Sequence, residues 1–379
     1  MSVLNSGYRV GFDYGAEVRP DGNLIKWKST GKRVCLLDGD ILPYTVGFIV
    51  KPEAVISAMM RVDAGEFKEI YETPEFLLYA DIMNCMLNRL IGSGDCDSAR
   101  IYMTDSANNF RLKLAFTHPY KGTRLPSKPP FFYELRRYLL ETQDTILAVG
   151  EEADDRISIE AWRMAREFCE SEGIEVGSEE HKAFADYVVV SKDKDLMQVP
   201  GWHLHYKGNV MELEWVTRFG YLRPKYKADG KMKKLEGAGL KFLYAQMLMG
   251  DDVDNYKGLP GCGMVKVFDT LQPCKTEQEL YFATLALYKK KYGDSYPAVN
   301  YRSSIKWRDE YHANHGVYPD DFDSTLKPIV LTGYQMMLEQ GRLAFMQTRI
   351  GEVWREGKGF SPLGVGDKWH EAYNESRSS

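Results

Sequence analysis

Carboxylates in this sequence gather where apolar runs end. Val34-Cys-Leu-Leu leads into Asp38-Gly-Asp40, Ile101-Tyr-Met-Thr into Asp105, and Thr145-Ile-Leu-Ala-Val-Gly150 into Glu152, Asp154 and Asp155. Tyr187-Val-Val-Val-Ser leads into Asp193 and Asp195, and Gly250-Asp-Asp-Val-Asp-Asn-Tyr-Lys-Gly258 carries Asp251 and Asp254. Taken singly, Asp193-Lys-Asp195 reads as a turn or helix cap, Glu152 to Asp155 as acids favourable at a helix start, and the last cluster as a surface turn. Taken together they are electrostatically unfavourable without cations, because neighbouring carboxylates raise one another's pKa and resist ionisation. Oxygen-only ligands point to Mg²⁺ or Mn²⁺, and their number points to two ions, an arrangement suited to phosphodiester hydrolysis.

The apolar runs are short and rich in β-branched residues or leucine, which predicts strands ending abruptly in acidic turns. Helical patterns separate them: Ile157, Ala161, Ala165 and Phe168 recur at helical spacing, and residues 52 to 92 hold one or two helices. Alternating strands and helices predict an α/β fold with a mostly parallel central sheet covered on both faces. In such sheets ligands bind outside the carboxyl ends of the strands, so the four strand-end clusters should meet in one crevice. From about residue 206 the pattern changes to helices and loops, including a helix around 327 to 347.

The chain has 379 residues, 44% of them hydrophobic, and a formal charge of −5. This argues against a protein that merely coats nucleic acid, which would carry a broad positive surface. The charges are segregated instead. Residues 111 to 140 hold Arg111, Lys113, Lys121, Arg124, Lys128, Arg136 and Arg137 against the single acid Glu134, which suggests an anion-binding band beside the acidic clusters. The proline-rich stretch from Thr117 to Arg137 reads as an inserted crossing segment outside the core. Gly258-Leu-Pro-Gly-Cys-Gly263, flanked by Lys257 and Lys266, reads either as a backbone clamp on phosphate or as a tight corner between helices. The six cysteines form no CxxC pair or His/Cys cluster, so zinc and a disulfide framework are not expected. No run approaches the roughly 18 apolar residues of a membrane span and the opening lacks a signal peptide's pattern, so a cytoplasmic setting is expected.

In order and chemistry these motifs resemble the structure-specific 5′-nuclease (flap endonuclease) superfamily, including the 5′-nuclease domain of bacterial DNA polymerase I. The resemblance covers roughly residues 32 to 270. It is closer still to the 5′-to-3′ exonucleases of T-seven-like phages, through Asp38-Gly-Asp40, Thr104-Asp-Ser106, Tyr120-Lys-Gly-Thr-Arg124 and Ser191-Lys-Asp-Lys-Asp195. The resemblance implies a PIN-like three-layer core over residues 31–205 with an arch or gateway at about 111–140. An extension at 1–30 would precede it, and a helix-turn-helix duplex-binding region at 206–275 and a helical extension at 276–379 would follow. It implies one metal held by Asp38, Asp105, Glu152 and Asp154, with Asp155 in support, and a second held by Asp193, Asp195 and Asp254, with Asp251 adjacent. Lys121 and Arg124 would meet the scissile phosphate. Duplex contacts would come from Tyr120, Lys257, Gly258, Gly261, Gly263 and Lys266, with K⁺ at the helix-turn-helix. Tyr120, Phe131, Phe132 and Tyr133 are the candidates for stacking on an unpaired base.

The implied activity is Mg²⁺-dependent 5′-to-3′ cleavage of DNA at duplex ends, nicks or 5′ flaps, with RNA in RNA-DNA hybrids as a further substrate, by a monomer serving phage replication or recombination. Two other classes fit parts of the sequence. Asp38-Gly-Asp40 resembles the nucleophile loop of haloacid dehalogenase-type phosphatases, but that reading leaves Glu152 to Asp155 and Asp193 to Asp195 idle. A non-catalytic DNA-binding protein on the same fold predicts a broken ligand position, and none is broken. A PIN-type ribonuclease shares the acidic crevice but not the glycine-rich clamp.

Overall fold

The structure, a computed structural model, describes residues 33–105, 109–122, 127–207, 210–298, 329–355 and 368–378, with short pieces at 308–309, 311–313 and 316–318. The expected extension at 1–30 and Arg124 lie outside the described residues.

The predicted strands form β1 (Val34–Asp38), β2 (Ser98–Thr104), β3 (Thr145–Ala148) and β4 (Tyr187–Val190). With β5 (Gly201–Lys207) and β6 (Val210–Val216) they make one six-stranded sheet in the order β3-β2-β1-β4-β5-β6. β1 to β5 run parallel, and β6 closes the edge antiparallel to β5. Register brings Asp38 level with Tyr102, and Thr104 level with Ala148. The first four strands therefore end together along one edge, as the sequence predicts.

Alternation along these strands fills two separate cores. Cys35, Leu37, Ile101, Met103, Val188 and Val190 face α3 (Pro74–Ser93) and α5 (Phe132–Thr142), burying Phe76, Met83, Leu87, Leu135 and Leu139. Leu36, Tyr102, Tyr187 and Val189 face α6 (Ala153–Glu172), burying Ile157, Ala161 and Ala165. The remaining helices of this half are α1 (Ile41–Gly47), α2 (Pro52–Asp63), α4 (Arg111–Leu114) and α7 (Glu179–Phe184). Both sheet faces are covered, which is why the strands read as continuous apolar runs. The described part of 117–137 is no insertion outside the core: Tyr120, Phe131, Phe132 and Leu135 are all buried.

Beyond residue 206 the chain does not turn at once to helices. β7 (Tyr221–Tyr226) and β8 (Met232–Ala238) form an antiparallel hairpin before α8 (Gly239–Met249), α9 (Met264–Leu271) and α10 (Glu277–Tyr292). A short pair, β9 (Tyr296–Ala298) with β10 (Ile329–Leu331), precedes α11 (Gly333–Ala344), and α12 spans Lys368–Ser378. The hairpin and α8 to α11 share one hydrophobic core, so the region expected from residue 276 packs as part of the same unit as 206–275. Every residue of α11 except Gln335 is buried. Among the described residues no single helix is long and apolar enough to cross a membrane.

His203 on β5 is buried and donates from Nε2 to the Val199 carbonyl, 2.8 Å away. Burial pushes its pKa down to about 4. The unfolded imidazole, with a pKa of about 6.5, takes up its proton first as pH falls. Its contribution is therefore complete above about pH 6.5 and lost as pH drops towards 4, an effect of roughly 2–3 kcal/mol at pH 4.5. Urea unfolding of wild type and His203→Gln at pH 7.5 and 4.5 should show a smaller acid loss in the variant by about that amount; an unchanged loss would contradict it.

Candidate active site

The strand ends are tied to one another by side chains that the sequence placed beside the acids. Ser191, just past β4, donates to Asp38 Oδ2 at 2.9 Å and accepts the Asp193 N–H at 2.9 Å, linking the ends of β1 and β4. Asp193 Oδ1 in turn accepts the Asp195 N–H at 2.8 Å. Thr104 ties β2 to its neighbours: its N–H donates to Asp40 at 3.0 Å and its hydroxyl accepts the Ala153 N–H at 2.9 Å, fixing the start of α6. Arg136 closes this corner with bonds of 2.5 Å to Asp40 and 2.6 Å to the Thr104 carbonyl. Asp40 is thus held as a lock between β1, β2 and α5.

The fifth cluster is aimed by two glycines. Gly250 and Gly258 both sit at positive φ, +74° and +60°, and a Cβ on Gly258 would lie 2.3 Å from the Gly250 nitrogen. Only glycine permits this approach. The loop between them closes through paired Asp251 and Tyr256 backbone bonds of 2.7 and 3.1 Å, which turns Asp251 and Asp254 inward. Both are buried.

Several of these acids have a cation at hand. Arg111 is fully buried, and its Nε and Nη groups reach five acceptors. It holds both oxygens of Asp155, Glu152 Oε2 at 3.1 Å, and the Leu343 and Phe345 carbonyls at 3.0 and 2.7 Å. Lys121 Nζ binds Glu152 Oε1 and lies 3.9 Å from Asp254 Oδ1. Tyr120 OH stands between the same two acids, 2.9 Å from Glu152 Oε2 and 3.0 Å from Asp254 Oδ2. Lys194 pairs with Asp251 at 2.5 Å, and Gln246 Nε2 donates to Asp195 Oδ1. Burial works to raise the pKa of Glu152, but Lys121 and Arg111 outweigh it and hold the carboxyl at about 2.

Asp38, Asp154 and Asp193 have no such ion pair among the described residues. Burial, reinforced by Asp40 and Asp193, pushes Asp38 up to about 7. Burial and the charges of Asp193, Asp38 and Glu152 push Asp154 well above the usual carboxylate range. Asp193 is raised by burial and by Asp254 and Glu152, and Asp195 by burial, Asp193 and Asp254. Asp154 Oδ1 is buried without a hydrogen-bond partner. Among the described residues no group of three or more His, Cys, Asp or Glu side chains stands ready to hold a metal ion. Lys121 and Tyr120 stand between Glu152 and Asp254. The donor set nonetheless fits a hard cation: it is all oxygen, its members repel one another, and one oxygen is left unsatisfied.

The expected residues fall into distinct places. Asp38, Glu152, Asp154, Asp193, Asp195, Asp251 and Asp254 come together with Lys121. Asp155 lies behind them, with both oxygens given to Arg111, so it positions the start of α6 and is not open to a metal. Asp105 follows β2, and its N–H donates to the Ala148 carbonyl at 2.9 Å. Tyr120, expected to contact DNA, is buried with its hydroxyl directed at Glu152 and Asp254; Phe131 and Phe132 are buried too, and Tyr133 alone of the four is exposed. The Gly258 N–H, expected to face a phosphate, instead donates to Gln340 Oε1 at 2.8 Å inside the core. Lys257, Gly261, Gly263 and Lys266 are exposed. The cationic band is largely absorbed: Arg111, Lys121 and Arg136 serve the acids above, and Arg137 pairs with Glu69 and Glu141. Sequence reasoning missed Thr104, Gln246 and the α11 residues as parts of the site. Ser191 and Thr104 were signalled by adjacency to the acids; Gln246 and Gln340 carried no signal.

No protein-family model matches the sequence, and no curated relative matches it. Among solved structures the chain is similar to a point mutant of the bacteriophage T5 5′-exonuclease, at 12% identity and a TM-score of 0.35 over 68% of this chain and 85% of that one. It is similar to a T5 flap endonuclease in a pseudo-enzyme-product complex with DNA and metal ions, at 14% identity and a TM-score of 0.35 over 67% and 88%. A T5 5′-exonuclease with bound zinc gives 14% identity and a TM-score of 0.33 over 67% and 88%.

Removing one partner of a buried ion network leaves the others uncompensated. Arg111→Ala should therefore destabilise the protein by roughly 3–5 kcal/mol in urea unfolding, and Arg111→Lys should restore little, because an ammonium cannot span the two carboxylates and two carbonyls. Near-native stability of Arg111→Ala would rule out this role.

Proposed function

We propose that this protein is a divalent-metal-dependent 5′-to-3′ deoxyribonuclease acting at duplex ends, nicks or 5′ flaps. The observation that carries the reading is the trio of buried Asp38 and half-buried Asp154 and Asp193 at the carboxyl edge of the parallel sheet, mutually repelling and with one oxygen unsatisfied. Asp38, Asp154 and Asp193 would hold Mg²⁺ or Mn²⁺ centrally, with Asp105, Glu152, Asp195, Asp251 and Asp254 around them. Bound there, a pair of such ions would supply an activated water and neutralise charge on the scissile phosphate.

The chain's own residues do the rest. Lys121 has its backbone fixed at φ +56° by an N–H bond to the Asp254 carbonyl, 2.9 Å, while its side chain is partly exposed. Its ammonium is thereby presented at the mouth of the site, where it can leave Glu152 for a phosphate oxygen and stabilise charge in the transition state. Tyr120 and Arg111 orient Glu152 from behind. The loop at Gly261 and Gly263, with Lys257 and Lys266 exposed on either side and α9 following, offers backbone amides and cations to a duplex strand. Asp40 is held by Arg136 and Thr104, which leaves it unsuited to the general-acid role the phosphatase reading gives it.

A 5′-labelled duplex, a nicked duplex and a 5′ flap should each be cut in Mg²⁺ and left intact in EDTA, and Asp193→Ala should lower the rate by about 10³-fold or more. Full activity in EDTA or in the variant would sink the mechanism. Lys121→Ala should slow single-turnover cleavage by roughly 10²–10³-fold while weakening DNA binding in EDTA by no more than about tenfold. Equal losses would reassign Lys121 to simple phosphate contact.

A further inference from the structure

Behind α6, away from the acidic site, lies a cavity of about 860 Å³. Its floor includes Ser158 and Trp162 of α6, with Arg166 one turn on; Arg218 and Arg349 reach it from other segments, and Trp369 of α12 closes one side. Three carboxylates also line it. Glu277 is held by Arg355 at 2.9 Å, Glu352 accepts the Thr348 N–H and hydroxyl at 2.8 and 2.7 Å, and Glu175 is exposed. Arg166, Arg218 and Arg349 form no salt bridge among the described residues. Arg166 donates instead to the Thr348 carbonyl at 2.7 Å, and burial together with the neighbouring Arg349 lowers its pKa. Two guanidinium groups left near each other favour an anion between them. Arg166 lies over the Trp162 ring, 5.6 Å from its centroid, and a cavity of this size lined by such a stacked guanidinium and by two further arginines matches a planar, negatively charged small molecule.

We propose that this cavity binds a nucleoside phosphate, its base over the stacked Arg166 and Trp162 and its phosphate on Arg218 and Arg349. The assignment does not rest on the nuclease reading. One stretch of chain touches both places, as α6 itself does. Phe345, Met346 and Thr348 line the cavity, while the Phe345 carbonyl accepts from Arg111 and the Gln347 N–H donates to Asp155 at 3.3 Å.

The test is a titration of the full chain in EDTA with 2′-deoxyadenosine 5′-monophosphate, followed by tryptophan emission. The expected result is a saturable change with a Kd below about 1 mM. Replacing both exposed arginines, Arg218→Gln with Arg349→Gln, should weaken binding by roughly tenfold or more, and Trp162→Leu should remove most of the signal change. Asp193→Ala should leave the Kd unchanged. Absence of saturation up to several times that concentration, an unchanged Kd in the double variant, or loss of binding in Asp193→Ala would each overturn the proposal. Competition by a 5′-phosphorylated oligonucleotide would identify the ligand as a strand terminus, and its failure to compete would identify a free nucleotide.

Discussion

The start of α6, and with it the Glu152 to Asp155 side of the acidic edge, depends on one buried guanidinium. Arg111 joins three stretches far apart in sequence: its own helix α4, the opening turn of α6 at Glu152 and Asp155, and the exit from α11 at Leu343 and Phe345. An arginine suits this position because its planar fork meets carboxylate and carbonyl acceptors together and does not lose its charge. Buried ion networks contribute little net stability when compared with apolar packing of the same volume, so the benefit here is registration: it fixes where α6 begins, and with it where Glu152 and Asp154 point.

The same electrostatic logic sorts the remaining acids. A crevice with this many carboxylates cannot be left bare, and the chain answers by giving particular acids a local partner: Arg136 for Asp40, Lys121 for Glu152, Lys194 for Asp251. What is left over is informative. Asp38, Asp154 and Asp193 repel one another from the ends of β1, α6 and β4, so the negative potential is focused on one small volume instead of being spread along the edge. Tyr120 adds a neutral donor between two further acids without adding a charge, and burial beside them raises its own pKa well above the usual tyrosine range.

The sequence made the sheet legible because both of its faces are buried, which turns β1, β2 and β4 into continuous apolar runs with acids at one end. Most of the acids expected to meet do so for the same reason, since parallel strands in register end together. Other parts were not legible. The hairpin β7–β8 has exposed residues such as Arg223, Lys225 and Tyr226, so its apolar period is weak and it reads as loop. Tyr120 and Arg111 looked like surface residues because they lie in a cationic, proline-rich stretch, and only tertiary contacts reveal that both are buried. The largest omission is α11: Glu339 accepts the Phe116 and Thr117 N–H groups at 2.6 and 2.7 Å, and Gln340 holds Gly258. Contacts across more than two hundred residues leave no trace in local pattern.

The link from Arg111 to the Leu343 carbonyl spans 232 residues. During synthesis at roughly 5–20 residues per second, the guanidinium is therefore made tens of seconds before the backbone that completes its coordination. Over that interval the strand-end acids already exist in the growing chain while the scaffold that aims them does not. The acidic edge is one of the last features of this protein to become organised, although most of its carboxylates are encoded in the first half of the chain.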